Sequence, residues 1–266
     1  MQQQPPGSLA RELAVASALA REAGQRILAH LAGSIEVGRK DNDEVVTAAD
    51  RESDQLIRNG LQAAFPEDAI FSEETADSPE RLARRRVWIV DPLDGTSNFI
   101  ARGDEFSVSI GLAVDGEAAL GVVYNPRRDE LYAGGPGLGT TLNGKAANVS
   151  AAAQPLGARL SVSRKEIALL QGHVAGAELV PITSMAYKLA RVAAGREDAT
   201  LSKKRRKEWG SCAGAALVLG AGGCISLLDG TPLRFNRAER LQSTGMVAGG
   251  CALHARLVIE LQSLQS

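Results

Sequence analysis

The sequence predicts an α/β fold of layered helices and sheets. Three observations carry this. Segments of helical and strand periodicity alternate through both halves of the chain. The first half holds an antiparallel meander punctuated by Asp115-Gly116 and Asn143-Gly144, dipeptides that favour tight hairpins. A fully apolar run, Val87-Trp88-Ile89-Val90, reads as a buried strand that discharges into Asp91-Pro92-Leu93-Asp94-Gly95-Thr96-Ser97-Asn98-Phe99. At 266 residues the chain can bury a large core as one domain or two closely joined halves. We set the division at 1–150, which carries the acid-rich turn, and 151–266.

Taken in order, Ser8 is a candidate cap for a helix whose apolar positions Leu9, Leu13, Ala16, Ala20, Ala23, Ile27 and Leu31 step by three and four. Gly33 ends it, and Ile35 to Val46 reads as strand and loop. A second helix opens with Thr47 as cap and Asp50 three positions on, a pattern resembling a capping box, and runs to Pro66. Ala69 to Phe71 is a short strand ending in Ser72-Glu73-Glu74-Thr75. The arginine-rich segment Arg81 to Arg86 reads as a solvated face rather than an anion site. After the acidic turn, Phe106, Val108, Ile110, Leu112 and Val114 alternate, and Leu120, Val122 and Tyr124 alternate on the return. Leu131 to Ala133 and Gly139 to Leu142 extend the meander. The run Gly139 to Lys145 imitates a phosphate-binding loop, but Ala146 stands where a magnesium-binding hydroxyl belongs and no helix follows, so we reject it.

In the second half, strands are expected at Leu160–Val162, 178–182, 198–202, 224–228 and 246–248. Helices are expected at 184–194, 211–221 and 253–264, with a short helix between the first two strands. The basic run Lys203 to Lys207 reads as a solvated loop, with attraction for a multiply phosphorylated ligand as its alternative.

Charge is balanced, 30 basic against 31 acidic residues, so no overall field draws the chain to nucleic acid polymers or membranes. No apolar run approaches the roughly 20 residues that span a bilayer, and the polar start has no signal-peptide core. Cys212, Cys224 and Cys251 form no CxxC pair and read as small buried thiols of a reducing, cytoplasmic setting. His30, His173 and His254 are not spaced as metal ligands, which leaves carboxylates and hence magnesium.

Asp50, Glu73-Glu74, Asp91-Pro92-Leu93-Asp94-Gly95-Thr96, Trp209 and Gly222-Gly223 follow one another in the order that marks the inositol monophosphatase superfamily. The chain resembles that family over nearly its whole length. The superfamily also contains the 3'(2'),5'-bisphosphate nucleotidases of the CysQ type. The resemblance implies an α-β-α-β-α sandwich, usually dimeric, that hydrolyses a small phosphate monoester with two or three Mg2+ ions. It implies that Glu73, Asp91 and the Leu93 carbonyl bind one metal, with Asp91 and Asp94 on a second. Asp50 and Thr96 would position and help deprotonate the attacking water, with Glu73 in the catalytic group. Gly95, Thr96 and Ser97 would meet the phosphate, and Ser184 and Lys188 would line the substrate side.

The family's Trp-Asp becomes Trp209-Gly210 here, which removes a ligand of the second metal. Two alternatives follow: a working phosphatase whose second metal is weakly held, or a phosphate-ligand binding protein with impaired turnover. Glu208 is a poor candidate to replace the lost carboxylate. Ser72 to Thr75 and Arg102 to Phe106 look like the bisphosphate nucleotidases, whereas Thr96 to Phe99 looks like the inositol phosphatases. Inositol monophosphate and 3'-phosphoadenosine 5'-phosphate therefore both stand as substrates.

Overall fold

The computed structural model describes residues 9–33, 35–39, 45–174 and 176–261. The proposed cap Ser8, part of the 35–46 stretch and the end of the closing helix lie outside them. Helix α1 (Ala10–Leu31) buries Ala16, Ala20, Ala23, Ile27 and Leu31, the stripe its periodicity marks out. Strands β1 (Val37–Arg39) and β2 (Val45–Thr47) pair antiparallel and lead into α2 (Ala48–Ala64). Next come β3 (Ala69–Ser72), β4 (Arg86–Asp94), the short α3 (Thr96–Ile100), β5 (Ser107–Val114), β6 (Glu117–Asn125), β7 (Glu130–Gly135), β8 (Gly139–Leu142) and β9 (Lys145–Ala147). Strands β3 to β9 form one seven-stranded sheet in chain order, antiparallel except for β3 with β4. Both hairpin dipeptides have the positive φ angles a two-residue turn needs: 52° and 79° at Asp115-Gly116, 49° and 77° at Asn143-Gly144. The rejected phosphate-loop mimic is the β8–β9 hairpin.

The second half supplies β10 (Arg159–Val162), α4 (Ile167–Leu170), β11 (Glu178–Pro181), α5 (Met185–Ala193), β12 (Ala199–Ser202), α6 (Cys212–Gly220), β13 (Gly223–Leu227), β14 (Met246–Gly250) and α7 (Cys251–Glu260). Its sheet has the order β11-β10-β12-β14-β13. One core lies between α1, α2 and the first sheet, through Ala20, Ile57, Trp88 and Ile110. A second joins the other face of that sheet to α5 and α6, through Ile89, Tyr132, Leu189 and Ala216, and reaches β14 at Met246. A third packs the second sheet under α7, through Leu160, Val247 and Leu257. The layers therefore run helix, sheet, helix, sheet, helix, as expected.

Two glycines bring α6 onto the first sheet. Gly111 and Gly121 face each other across β5 and β6. A Cβ at Gly121 would come within 2.0 Å of the Ala213 carbonyl oxygen, and one at Gly111 within 2.8 Å of the Ala213 nitrogen. Only residues without side chains permit that approach, and it seats the start of α6 on β5 and β6.

Two expectations are corrected. Cys224 and Cys251 are joined in a disulfide rather than standing as thiols, while Cys212 is the buried free thiol expected. The ladder partners Gly223 and Gly250 place the two cysteines side by side, with Cα atoms 4.9 Å apart, a proximity that 27 residues of separation conceal. Arg81 is not solvated. It is buried with its guanidinium 3.9 Å from the Phe71 ring centre, paired to Asp77 at 2.6 Å and donating to Asn236 Oδ1 at 2.8 Å. Arg86 likewise pairs with Asp68 and Glu12, whereas Arg84 and Arg85 are exposed. Among the described residues, no helix is long and apolar enough to cross a membrane.

Candidate active site

The acid-rich turn lies at the end of β4, where the ladder with β5 shifts register between Asp91 and Asp94. Asp91 is buried and its Oδ1 accepts the Leu93 N–H at 3.2 Å. Gly95 closes the turn at φ +98°, where an added Cβ would lie 2.7 Å from the Glu105 carbonyl oxygen. Helix α3 then starts at Thr96, leaving Ser97 exposed.

Asp50 divides its two oxygens. Oδ2 accepts the Thr47 N–H at 2.8 Å and the Thr47 hydroxyl at 2.5 Å, so the capping-box reading is correct. Oδ1 accepts the Thr96 hydroxyl at 3.1 Å, and that hydroxyl also faces the Leu93 carbonyl at 3.0 Å. One helix-start residue thus reaches the acidic turn as well as its own helix. Glu73 is tied to β4 through its N–H on the Val90 carbonyl at 3.1 Å.

Asp94 is held from the second half. Its Oδ2 accepts the Ser184 hydroxyl and the Ala186 N–H, both at 2.7 Å, at the start of α5. Ser184 also caps that helix by accepting the Tyr187 N–H at 3.0 Å. The Tyr187 hydroxyl donates to Glu130 at 2.6 Å and the Tyr132 hydroxyl to the same oxygen at 2.9 Å, bracing α5 against β7. Sequence reasoning passed over Glu130 because nothing local marks a strand glutamate as the acceptor for two tyrosines.

The electrostatics follow from crowding like charges out of water. Burial, then the charges of Glu73 and Asp94, push the Asp91 carboxyl well up. Burial also raises Asp94, against the hydrogen bonds from Ala186 and Ser184, and raises Asp50, against those from Thr47 and Thr96. The donors on offer are carboxylates and a carbonyl, the ligand type that hard divalent cations take, and a cation would relieve the repulsion. In kind the residues fit magnesium. As the side chains stand, no group of three or more acidic, histidine or cysteine residues among those described is gathered to hold a metal ion. Asp94 is turned to α5 and Asp50 to Thr47 and Thr96.

Gly210 stands close by, in a 3-10 turn just before α6. Ser109, the ladder partner of Asp91, donates its hydroxyl to the neighbouring Trp209 carbonyl at 3.3 Å. A Cβ at position 210 would have only the Met185 Cβ as near neighbour, at 4.0 Å, and Met185 sits between the two residues that hold Asp94. Glu208 does not stand in for the missing carboxylate: it is buried, with its oxygens on the Asn236 and Arg237 N–H groups at 2.6 and 2.9 Å. Burial pushes its carboxyl up to about 7.

Lys188, one turn into α5, is fully buried and its Nζ has no hydrogen-bond partner. Burial and then the nearby Arg206 push it down to about 8, against the pull of Glu166, Asp94 and Glu105. The basic run is partly anchored rather than wholly solvated. Lys203, Lys204 and Arg205 are exposed, while Arg206 pairs with the buried Glu166 at 3.0 Å.

A five-layer fold with acidic side chains crowded at one strand end defines the class of protein to which the chain is compared. The inositol monophosphatase family model matches residues 8–266, and the chain belongs to that family of hydrolases of phosphate monoesters. It is 35% identical to a histidinol-phosphatase of Chlorobaculum parvum over 84% of this chain and 90% of the relative. It is 31% identical to an inositol-1-monophosphatase of Bacillus subtilis over 90% and 92%. The crystal structure of the extragenic suppressor protein suhB from Bartonella henselae superposes with a TM-score of 0.83 at 27% identity, covering 94% of this chain and 98% of that one.

Proposed function

We propose that the chain is a magnesium-dependent phosphomonoesterase for a small phosphorylated metabolite, working as a homodimer. The observation that carries this is the Thr96 hydroxyl held between the Asp50 carboxylate and the Leu93 carbonyl, beside the crowded acids Glu73, Asp91 and Asp94. Glu73, Asp91 and the Leu93 carbonyl would hold one Mg2+, with Asp91 and Asp94 contributing to another. Bound there, Mg2+ supplies charge neutralisation for the phosphoryl oxygens and acidifies a water molecule. The chain's own residues do the rest. Asp50 Oδ1 fixes the direction of the Thr96 hydroxyl and leaves the pair able to orient an attacking water and receive its proton. Gly95, Thr96 and Ser97 offer backbone N–H groups to the phosphate, and Ser184 keeps Asp94 aimed from α5. Phosphoryl transfer needs positioning and electrostatics more than covalent help, which suits this inventory.

Lys188 favours a substrate with a second anionic group over a single monoester. A buried ammonium without a partner gains most from a ligand phosphate, through charge-assisted hydrogen bonds. Inositol 1-phosphate and histidinol phosphate each carry one phosphate, whereas 3'-phosphoadenosine 5'-phosphate carries two. Turnover compared on inositol 1-phosphate, histidinol phosphate and 3'-phosphoadenosine 5'-phosphate at fixed Mg2+ tests this. A higher kcat/KM for the bisphosphate supports it, and a preference for either single monoester rejects it. The competing reading, an impaired phosphate-binding protein, rests on Gly210; absence of release on every substrate at high Mg2+ would favour it.

A further inference from the structure

We propose that Asp54 is a positioning residue that sets Glu73 in place as a metal ligand, an inference that rests on the reading of Glu73 given above. Asp54 lies one turn beyond Asp50 on the same face of α2 and is buried. It is not joined to the acids of the β4 turn. Its Oδ1 instead accepts the Ser72 hydroxyl, and its Oδ2 accepts the Thr75 hydroxyl at 2.9 Å. Ser72 and Thr75 bracket Glu73-Glu74, so both ends of the short segment that carries the ligand are tied to one carboxylate. Arg58, the next turn of α2, donates to the same Oδ2 at 3.2 Å and balances the charge. From the other side, the Glu73 N–H is fixed on the Val90 carbonyl at 3.1 Å, one residue before Asp91.

The segment is therefore suspended between α2 and β4. The same two elements carry Asp50 and Asp91. Because Asp50 and Asp54 share a rigid helical turn, the distance from the Asp50–Thr96 pair to Glu73 is fixed by α2 rather than by the loop. A carboxylate suits this task better than an amide, because it accepts from two hydroxyls and a guanidinium at once without a donor facing any of them. Partners that orient metal ligands this way change metal affinity by about 10–100-fold when removed.

The test measures Mg2+ binding by titration calorimetry on the full chain, without substrate, alongside denaturant stability. Thr75→Val removes one hydroxyl while keeping the branched shape, and Thr75→Ser restores it. Asp54→Asn removes one acceptor oxygen. Thr75→Val and Asp54→Asn are expected to weaken Mg2+ binding about tenfold or more. Thr75→Ser is expected to bind as the parent, and added Mg2+ is expected to recover kcat with KM for substrate little changed. Folded variants that bind Mg2+ as the parent does would overturn the proposal, leaving Asp54 a purely structural tie. Should Asp54→Asn fail to fold, Thr75→Val and Thr75→Ser decide alone. Glu73→Gln separates this inference from its premise. If it weakens Mg2+ binding while the Thr75 and Asp54 variants do not, the premise stands and the positioning role falls; if it does not weaken binding, both fall.

Discussion

Replacing Gly210 with aspartate places a carboxylate beside Asp91 and Asp94 without forcing the backbone. A Cβ there meets nothing nearer than Met185 Cβ at 4.0 Å, and the glycine is not among the positive-φ residues. Loss of unfolded-state freedom stabilises by about 0.4–1 kcal/mol. A negative charge just before α6 adds about 0.3–1 kcal/mol. Repulsion from the acids that already raise Asp91 and Asp94 opposes both. Without metal, the net change is expected to stay within about 1 kcal/mol, or roughly 2–4 °C in Tm for a chain of this size. With metal, repulsion becomes attraction, and each tenfold gain in affinity corresponds to about 1.4 kcal/mol. Phosphate release measured across a Mg2+ series should show the half-saturating concentration falling at least about tenfold in Gly210→Asp. An unchanged Mg2+ requirement would refute the placement of position 210 beside Asp91 and Asp94. A parent chain inert at all Mg2+ concentrations, with activity appearing only in the variant, would refute the claim that the natural chain is a working enzyme.

Lys188→Met should raise Tm while raising KM for 3'-phosphoadenosine 5'-phosphate about tenfold or more, since a charged hydrogen bond contributes about 1.5–3 kcal/mol. The sign follows from its depressed titration. The unfolded lysine holds its proton to about 10.5 and the folded one to about 8, so the native state binds fewer protons between them and stability rises with pH across that window. For the parent, kcat/KM on the bisphosphate should decline above about pH 8; a flat profile would remove Lys188 from the binding of substrate. Glu208 titrates near 7 folded against 4.5 unfolded, so the native state binds more protons between these values. Its contribution to stability is full below about 4.5 and is lost as pH rises to 7; denaturant melts should show that slope in the parent and lose it in Glu208→Gln. Gly95→Ala should destabilise by more than about 1 kcal/mol, because the +98° φ and the 2.7 Å approach to the Glu105 carbonyl both penalise a side chain; an unchanged chemical melt would contradict it.

What the sequence disclosed was mostly local. Asp115-Gly116 and Asn143-Gly144 announce their turns because those residue types tolerate the positive φ the hairpins adopt. Thr47 and Asp50 announce a helix start because the capping bonds span three residues. The strand Val87 to Val90 is legible because both its faces are buried. What stayed hidden depends on elements far apart in the chain. Arg81 is buried because Phe71, Asp77 and Asn236 converge on it, and the 155 residues to Asn236 leave no local trace. The cysteine pair arises from the β13–β14 ladder. Asp54, Ser72 and Thr75 become a clamp only when α2 lies against the end of β3. The orientation of Asp94 toward Ser184 and Ala186 likewise requires α5 to close over the acidic turn from 90 residues away.

The central claim is that the acids at the end of β4 support Mg2+-dependent hydrolysis of a phosphate monoester. Inorganic phosphate release should be measured for the parent and for Asp91→Asn across a Mg2+ series, with EDTA as the zero point. Release that rises with Mg2+ in the parent, vanishes in EDTA and is abolished in a folded Asp91→Asn is the expected result. Release that persists in EDTA, or that survives in Asp91→Asn with the parent's Mg2+ dependence, would contradict the account.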